Sequence, residues 1–156
     1  MDRLKLAKKC KELSKIFKEL DKKVIDAKVD MMSVSAPHID ENNFCGTPAC
    51  HAGWFWFSQK KEINDKNFDY INGARRMAKF LGFKSVSKLE SFFEKNPELW
   101  GTKDADGMFC NEAAFKDVRK LDKDGFFTGP LTLKEISKKW KQVGKRLEES
   151  VSQGKA

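Results

Sequence analysis

The residues best equipped for chemistry lie together in "FCGTPACHAGWFWF", Phe44 to Phe57, which holds two cysteines, Cys45 and Cys50, and a histidine, His51. Thiolate and imidazole are donors that zinc prefers, and His38 upstream or Cys110 downstream could complete a set of four. The spacing argues against zinc. Cys50 and His51 are neighbours, so on a helix they point about 100° apart, whereas ligand pairs on a helix sit three or four residues apart. No second Cys pair or His pair follows. A redox pair would take the Cys-x-x-Cys spacing rather than the four residues that separate Cys45 from Cys50. A Cys50–His38 or Cys45–His51 dyad could serve nucleophilic catalysis, but no oxyanion motif and no phosphate-binding glycine loop accompanies it. A thiol-dependent enzyme and a metal-stabilised scaffold using Cys45, Cys50 and His51 are therefore the lesser alternatives. The expectation is no bound zinc, with Cys50 a packed free thiol.

"TKDADGMF" shares part of a calcium-loop pattern, with Asp104, Asp106 and Gly107 at positions three, five and six and Phe109 at position eight. Thr102 at position one and Ala113 at position twelve remove the first carboxylate and the bidentate glutamate, so a polar turn is expected and calcium is not.

The element that must carry the cysteine motif is a helix. Thr47 is a good N-cap and Pro48 suits the first helical position, which predicts a helix over Pro48–Gln59 with Cys50 in its first turn. Trp54, Phe55, Trp56 and Phe57 make that helix apolar all the way round, as in one buried on every side, so Trp54 and Trp56 are expected in the core. Upstream, Leu6, Cys10, Leu13, Phe17, Leu20 and Val24 recur at steps of three and four and predict an amphipathic helix backed by lysines. Downstream, "NFDYINGARRMAKFLGF" predicts a helix from Asn67 with Ile71, Met77, Ala78 and Leu81 inward and Gly82 as terminator. Ser87 to Glu90 reads as a capping box that opens a short helix stopped by Asn96-Pro97. A helix is expected around "NEAAFKDVRKL" and a loop at "DKDGFFTGP". Thr132 and Glu135 form a capping box for a last helix with the stripe Leu133, Ile136, Trp140, Val143 and Leu147. No alternating strand pattern stands out. The expected fold is an all-α, compact single-domain bundle of about six helices around a central buried aromatic helix, residues 1–150, with a polar tail over 151–156.

Hydrophobic residues are 40% and charged residues 35% of the 156, with 13 Phe and 4 Trp against one Tyr. The formal charge is +8, and of 31 basic residues only five are Arg. Lysine supplies point charges, whereas the arginine fork reads bases and phosphates with geometry, so this balance implies attraction to polyanions without sequence specificity. The charged N-terminal segment lacks a signal-peptide core and no stretch approaches the length of a membrane span, so a cytoplasmic protein with free thiols is expected.

"CGTPACHAGW" resembles a Cys-Gly-Thr-x-x-Cys-x-x-Gly motif of small phage and bacterial proteins that have no established activity. Counterparts of their later segments are Phe80-Leu81-Gly82-Phe83, Ser91-Phe92-Phe93 and "FTGPLTLKEI"; the long lysine-rich first helix and the WFWF run depart from the pattern. The resemblance implies a shared fold and a viral or mobile-element origin, hence a host cytoplasm, and no reaction. The functional expectation is a small basic protein-interaction module acting on a host factor, without catalysis or cofactor. The alternative is sequence-nonspecific nucleic-acid binding. The first reading would use an exposed aromatic or basic surface and the second the lysine faces of the first and last helices; the binding residues expected are Lys8, Lys15 and Lys22 on the first helix and Lys138, Lys141 and Lys145 on the last.

Overall fold

In a computed structural model the described residues are 1–23, 28–29, 48–49, 51–60, 70–100, 119–121 and 127–154. The fold is all-α, with six helices among these residues: α1 Arg3–Lys23, α2 His51–Lys60, α3 Tyr70–Phe80, α4 Val86–Lys95, α5 Pro97–Trp100 and α6 Leu133–Ser152. Local chemistry explains where they begin and end. Asp2 accepts hydrogen bonds from the backbone N–H groups of Leu4 and Lys5, each at 3.1 Å, and so caps α1. Gly82 ends α3 at φ +92, with Phe83 N–H donating to Ala78 O at 2.9 Å and Gly82 N–H to Lys79 O at 3.0 Å, a Schellman closure that glycine makes at no steric cost. The expected capping box of Thr132 and Glu135 opens α6.

The helix at Ser87 opens two residues earlier than expected. Ser85, held extended, accepts from Lys88 N–H at 3.1 Å and is the true cap, so Val86 becomes the first helical residue. Asn96 and Pro97 end it as the sequence implied.

Four short extended segments pair beside the helices: β1 Lys28–Val29, β2 Pro48–Ala49, β3 Arg119–Leu121 and β4 Phe127–Thr132, in the order β2-β1-β4-β3. This pairing corrects three local expectations. Pro48 does not start α2, because Pro48–Ala49 lies parallel to Lys28–Val29 and the helix begins at His51. Residues 119–121, expected at the end of a helix, pair antiparallel with β4, and Phe127–Pro130, expected within a loop, belong to that partner strand. Backbone pairing across the chain overrides local helix propensity at these positions.

The framework is the antiparallel pair α1 and α6. Ser14 Oγ donates to Ser137 O at 2.6 Å, Ser137 Oγ donates to Ser14 O at 2.7 Å, and the two hydroxyls lie 3.0 Å apart, all buried. One heptad along, Gly144 faces Ala7 so closely that a β-carbon on Gly144 would meet Ala7 O and Lys11 Cγ at 3.0 Å. At the far end Arg3 donates to Ser150 Oγ at 2.9 Å. Ala7 and Ser14 on one helix, Ser137 and Gly144 on the other, thus form a seam of small residues that lets the backbones approach.

On one side of this seam the apolar stripes of both helices enter the core. Leu6, Cys10, Leu13, Phe17 and Leu20 are buried from α1, and Leu133, Ile136, Trp140, Val143 and Leu147 from α6. The other helices cover that side. Trp54, Phe55 and Trp56 of α2 are buried, as expected of an aromatic central helix. Phe55 packs on Phe80 of α3 at 5.5 Å between ring centroids, and Phe93 of α4 meets Trp140 edge-to-face at 6.2 Å. Arg146 ties α6 to Leu99 O of α5 at 3.2 Å.

Close approach at the seam leaves no room for a branched side chain. Gly144→Val is expected to lower the unfolding free energy by about 1–3 kcal/mol through overpacking against a backbone carbonyl, despite valine's better helix propensity than glycine's. Urea denaturation of the two proteins measures it.

Candidate binding face

Each of the two long helices carries a second stripe with the period of its apolar one. On α1 it is Lys8, Lys11, Lys15, Lys18 and Lys22, and on α6 it is Lys134, Lys138, Lys141 and Lys145, again at steps of three and four. The helical repeat therefore places each set on one face. Going round α1 from the core, Leu6 and Leu13 are followed by the seam residues Ala7 and Ser14 and then by Lys8 and Lys15. Round α6, Ile136 and Val143 are followed by Ser137 and Gly144 and then by Lys138 and Lys145. The order has the same sense on both helices. Because they run antiparallel, both lysine stripes emerge on the same side of the pair, opposite the core.

The six lysines singled out in the sequence, Lys8, Lys15, Lys22, Lys138, Lys141 and Lys145, are thus brought onto one face, and all are exposed. Lys11 and Lys18 join them from α1, and Lys134 from α6. Lys11 lies across the seam against Gly144 and pairs with Glu148, which fixes the two stripes side by side. Lys22 pairs with Glu19 at 3.2 Å, and Lys145 approaches Glu149 at 3.9 Å. Lys8, Lys15, Lys18, Lys134, Lys138 and Lys141 make no ion pair among the described residues. The carboxylates of α6 nearest the face, Glu148 and Glu149, are grouped at one end of it.

Apolar anchors are scarce there. Among the described residues the exposed large hydrophobic side chains are Met1 and Leu4, at the start of α1. Part of the signal is in the sequence, where the lysines repeat with the helix period; the side they share follows from the packing of Ala7, Ser14, Ser137 and Gly144.

The thiol and imidazole candidates fall differently. His38, Cys45, Cys50 and Cys110 lie outside the described residues, as does the 102–109 loop weighed for calcium, and of His51 the backbone alone is described, as the first residue of α2. No group of three or more potential metal ligands gathers among the described residues. Nor is any helix among them long and apolar enough to cross a membrane. Comparison with protein-family models, curated proteins and solved structures finds no match for this chain.

Cys10, the one cysteine among the described residues, is fully buried in the core, and desolvation pushes its thiol up from 9.0 to about 12. The thiolate, not the thiol, is the nucleophile, so Cys10 is inert while the chain is folded. The folded state holds this proton more tightly than the unfolded state does. Its stabilising contribution is therefore complete below pH 9.0 and is lost as the pH rises towards about 12. A thiol reagent at neutral pH is expected to label Cys10 on unfolding and not before, as peptide mapping of the labelled chain would reveal.

Proposed function

We propose that the protein binds nucleic acid without regard to sequence, laying the lysine face of α1 and α6 against the phosphate backbone. The observation that carries this reading is the set of six exposed lysines, Lys8, Lys15, Lys18, Lys134, Lys138 and Lys141, which share one face and make no ion pair among the described residues. Ammonium groups so placed release counterions when they meet phosphates, and this is the main source of nonspecific affinity. Lysine rather than arginine on this face supports contact without base readout.

A protein partner is the second reading. Protein interfaces take most of their energy from buried aromatic or arginine anchors, and this face offers lysine heads with Leu4 and Met1 at one margin. A partner protein would have to be acidic and held by charge. The resemblance of Cys45–Trp54 to phage and bacterial proteins is compatible with either target.

Salt dependence tests the choice. If each of the six lysines meets a phosphate of duplex DNA, the logarithm of the affinity falls against the logarithm of salt with a slope of about −5. Lys15→Gln/Lys138→Gln/Lys141→Gln should flatten that slope by about 2.5 to 3 and weaken binding to every duplex alike. Fluorescence anisotropy over a salt series measures both. Tight binding to one particular sequence at high salt, or no binding to nucleic acid together with capture by an acidic protein, would contradict the proposal.

A further inference from the structure

The lysine face is two rows rather than one. Lys8, Lys15 and Lys18 stand on α1 and Lys134, Lys138 and Lys141 on α6, all exposed and none in an ion pair among the described residues. The two helices stay in contact along the seam, from Arg3 with Ser150 through Ala7 with Gly144 to Ser14 with Ser137. The rows therefore run side by side instead of diverging, separated by about the 8–10 Å that parts packed helix axes. Lys11, which reaches across the seam to Glu148, holds them together.

The company these lysines keep narrows what they can hold. The aromatic residues of α1 and α6 are Phe17 and Trp140, and both are fully buried in the core. The arginines of the two helices are turned elsewhere. Arg3 donates to Ser150 Oγ and Asn96 Oδ1, each at 2.9 Å, with its guanidinium over the Phe92 ring, and Arg146 donates to Leu99 O of α5. Neither helix thus presents a ring or a guanidinium plane beside its lysines, and Met1 and Leu4, the large hydrophobic side chains exposed among the described residues, are aliphatic.

Proteins that hold single strands stack the bases on aromatic rings or arginine planes beside a basic track. A single strand on α1 and α6 would find charge alone, and in following one row it would leave the other unneutralised. A duplex needs no stacking partner, because its bases already stack on one another. Its two phosphate backbones flank a minor groove about 6 Å wide and a major groove about 12 Å wide. The separation of the rows falls between these widths, and the flexible four-carbon stem of lysine closes the difference. We infer that the lysine face selects double-stranded over single-stranded nucleic acid, the α1 row meeting the backbone of one strand and the α6 row that of the other across a groove. This inference rests on the nucleic-acid reading above, and it can fail while that reading stands.

The test is a salt series with the full chain, a fluorescent duplex and a fluorescent oligothymidylate as long as one of its strands. With six phosphates met, the logarithm of affinity falls against that of salt with a slope of about −5 on the duplex; with one row of three met, the slope on the oligothymidylate is about −2. The duplex should bind at least about tenfold more tightly at the same salt. Lys134→Gln/Lys138→Gln/Lys141→Gln, which removes the α6 row, should halve the duplex slope to about −2.7 and leave the oligothymidylate slope unchanged, because the α1 row still serves a single strand. Lys79→Gln/Lys84→Gln/Lys88→Gln removes as much charge from exposed positions in and between α3 and α4, and should change either slope by less than about 0.5. An oligothymidylate slope of about −4, the value for a single strand on all six lysines, or equal affinity for the two nucleic acids, would overturn duplex selection and leave nucleic-acid binding standing. Failure of both to bind, or equal flattening by the two triple variants, would overturn the selection together with the lysine face as the site.

Discussion

The reciprocal contact of Ser14 with Ser137 sets the register on which the rest of the molecule depends. A serine hydroxyl inside a core costs free energy unless it is hydrogen-bonded, and here each hydroxyl donates to the other helix's carbonyl at 2.6 and 2.7 Å. The bonds themselves contribute about 1 kcal/mol each, but sliding one helix along the other would leave two buried hydroxyls unsatisfied. Gly144 opposite Ala7 reinforces the choice by steric fit, since no larger residue could come so near. With that register fixed, the apolar stripes of α1 and α6 turn the same way and α2, α3, α4 and α5 have one surface to cover.

The same constraint decides the electrostatics. Lysines arranged along either helix alone would be an ordinary solvated face, with like charges three and four residues apart repelling mildly. Joining two such faces across a tight seam concentrates the repulsion on one side of the molecule, and the Lys11–Glu148 pair relieves it at one point. A polyanion laid across the seam would relieve the remainder, which is the electrostatic gain the proposed binding would draw on.

Much of the helical body was legible because its signals are local. The stripes of α1 and α6, the Thr132–Glu135 capping box and the Gly82 terminator each occupy a few consecutive residues and act through short-range sterics or hydrogen bonds. Ser87 was misleading because Ser85 two residues before it can cap equally well, and the choice belongs to the backbone that enters the helix. The extended segments were illegible for a different reason. Lys28–Val29 and Pro48–Ala49 are too short to show alternation, and their partners lie far away in the chain. The candidate face was half legible: its lysines could be named, but their convergence depends on Ala7, Ser14, Ser137 and Gly144, residue types that carry no pattern until two helices are placed together.

The α1–α6 register itself can be measured by cross-linking. In a chain whose four cysteines have been replaced, Ser14→Cys/Ser137→Cys places two thiols where the hydroxyls now stand 3.0 Å apart, near enough for disulfide geometry after small adjustment. Mild oxidation should yield a monomeric disulfide across a sequence separation of 123, with a melting temperature above that of the reduced form, the loop-closure gain being at most about 5 kcal/mol. The oxidised protein should retain the salt-dependent binding of its lysine face. Failure to cross-link within one chain, or a cross-linked chain that no longer folds, would contradict the antiparallel seam and with it the common face of lysines that the proposed function requires.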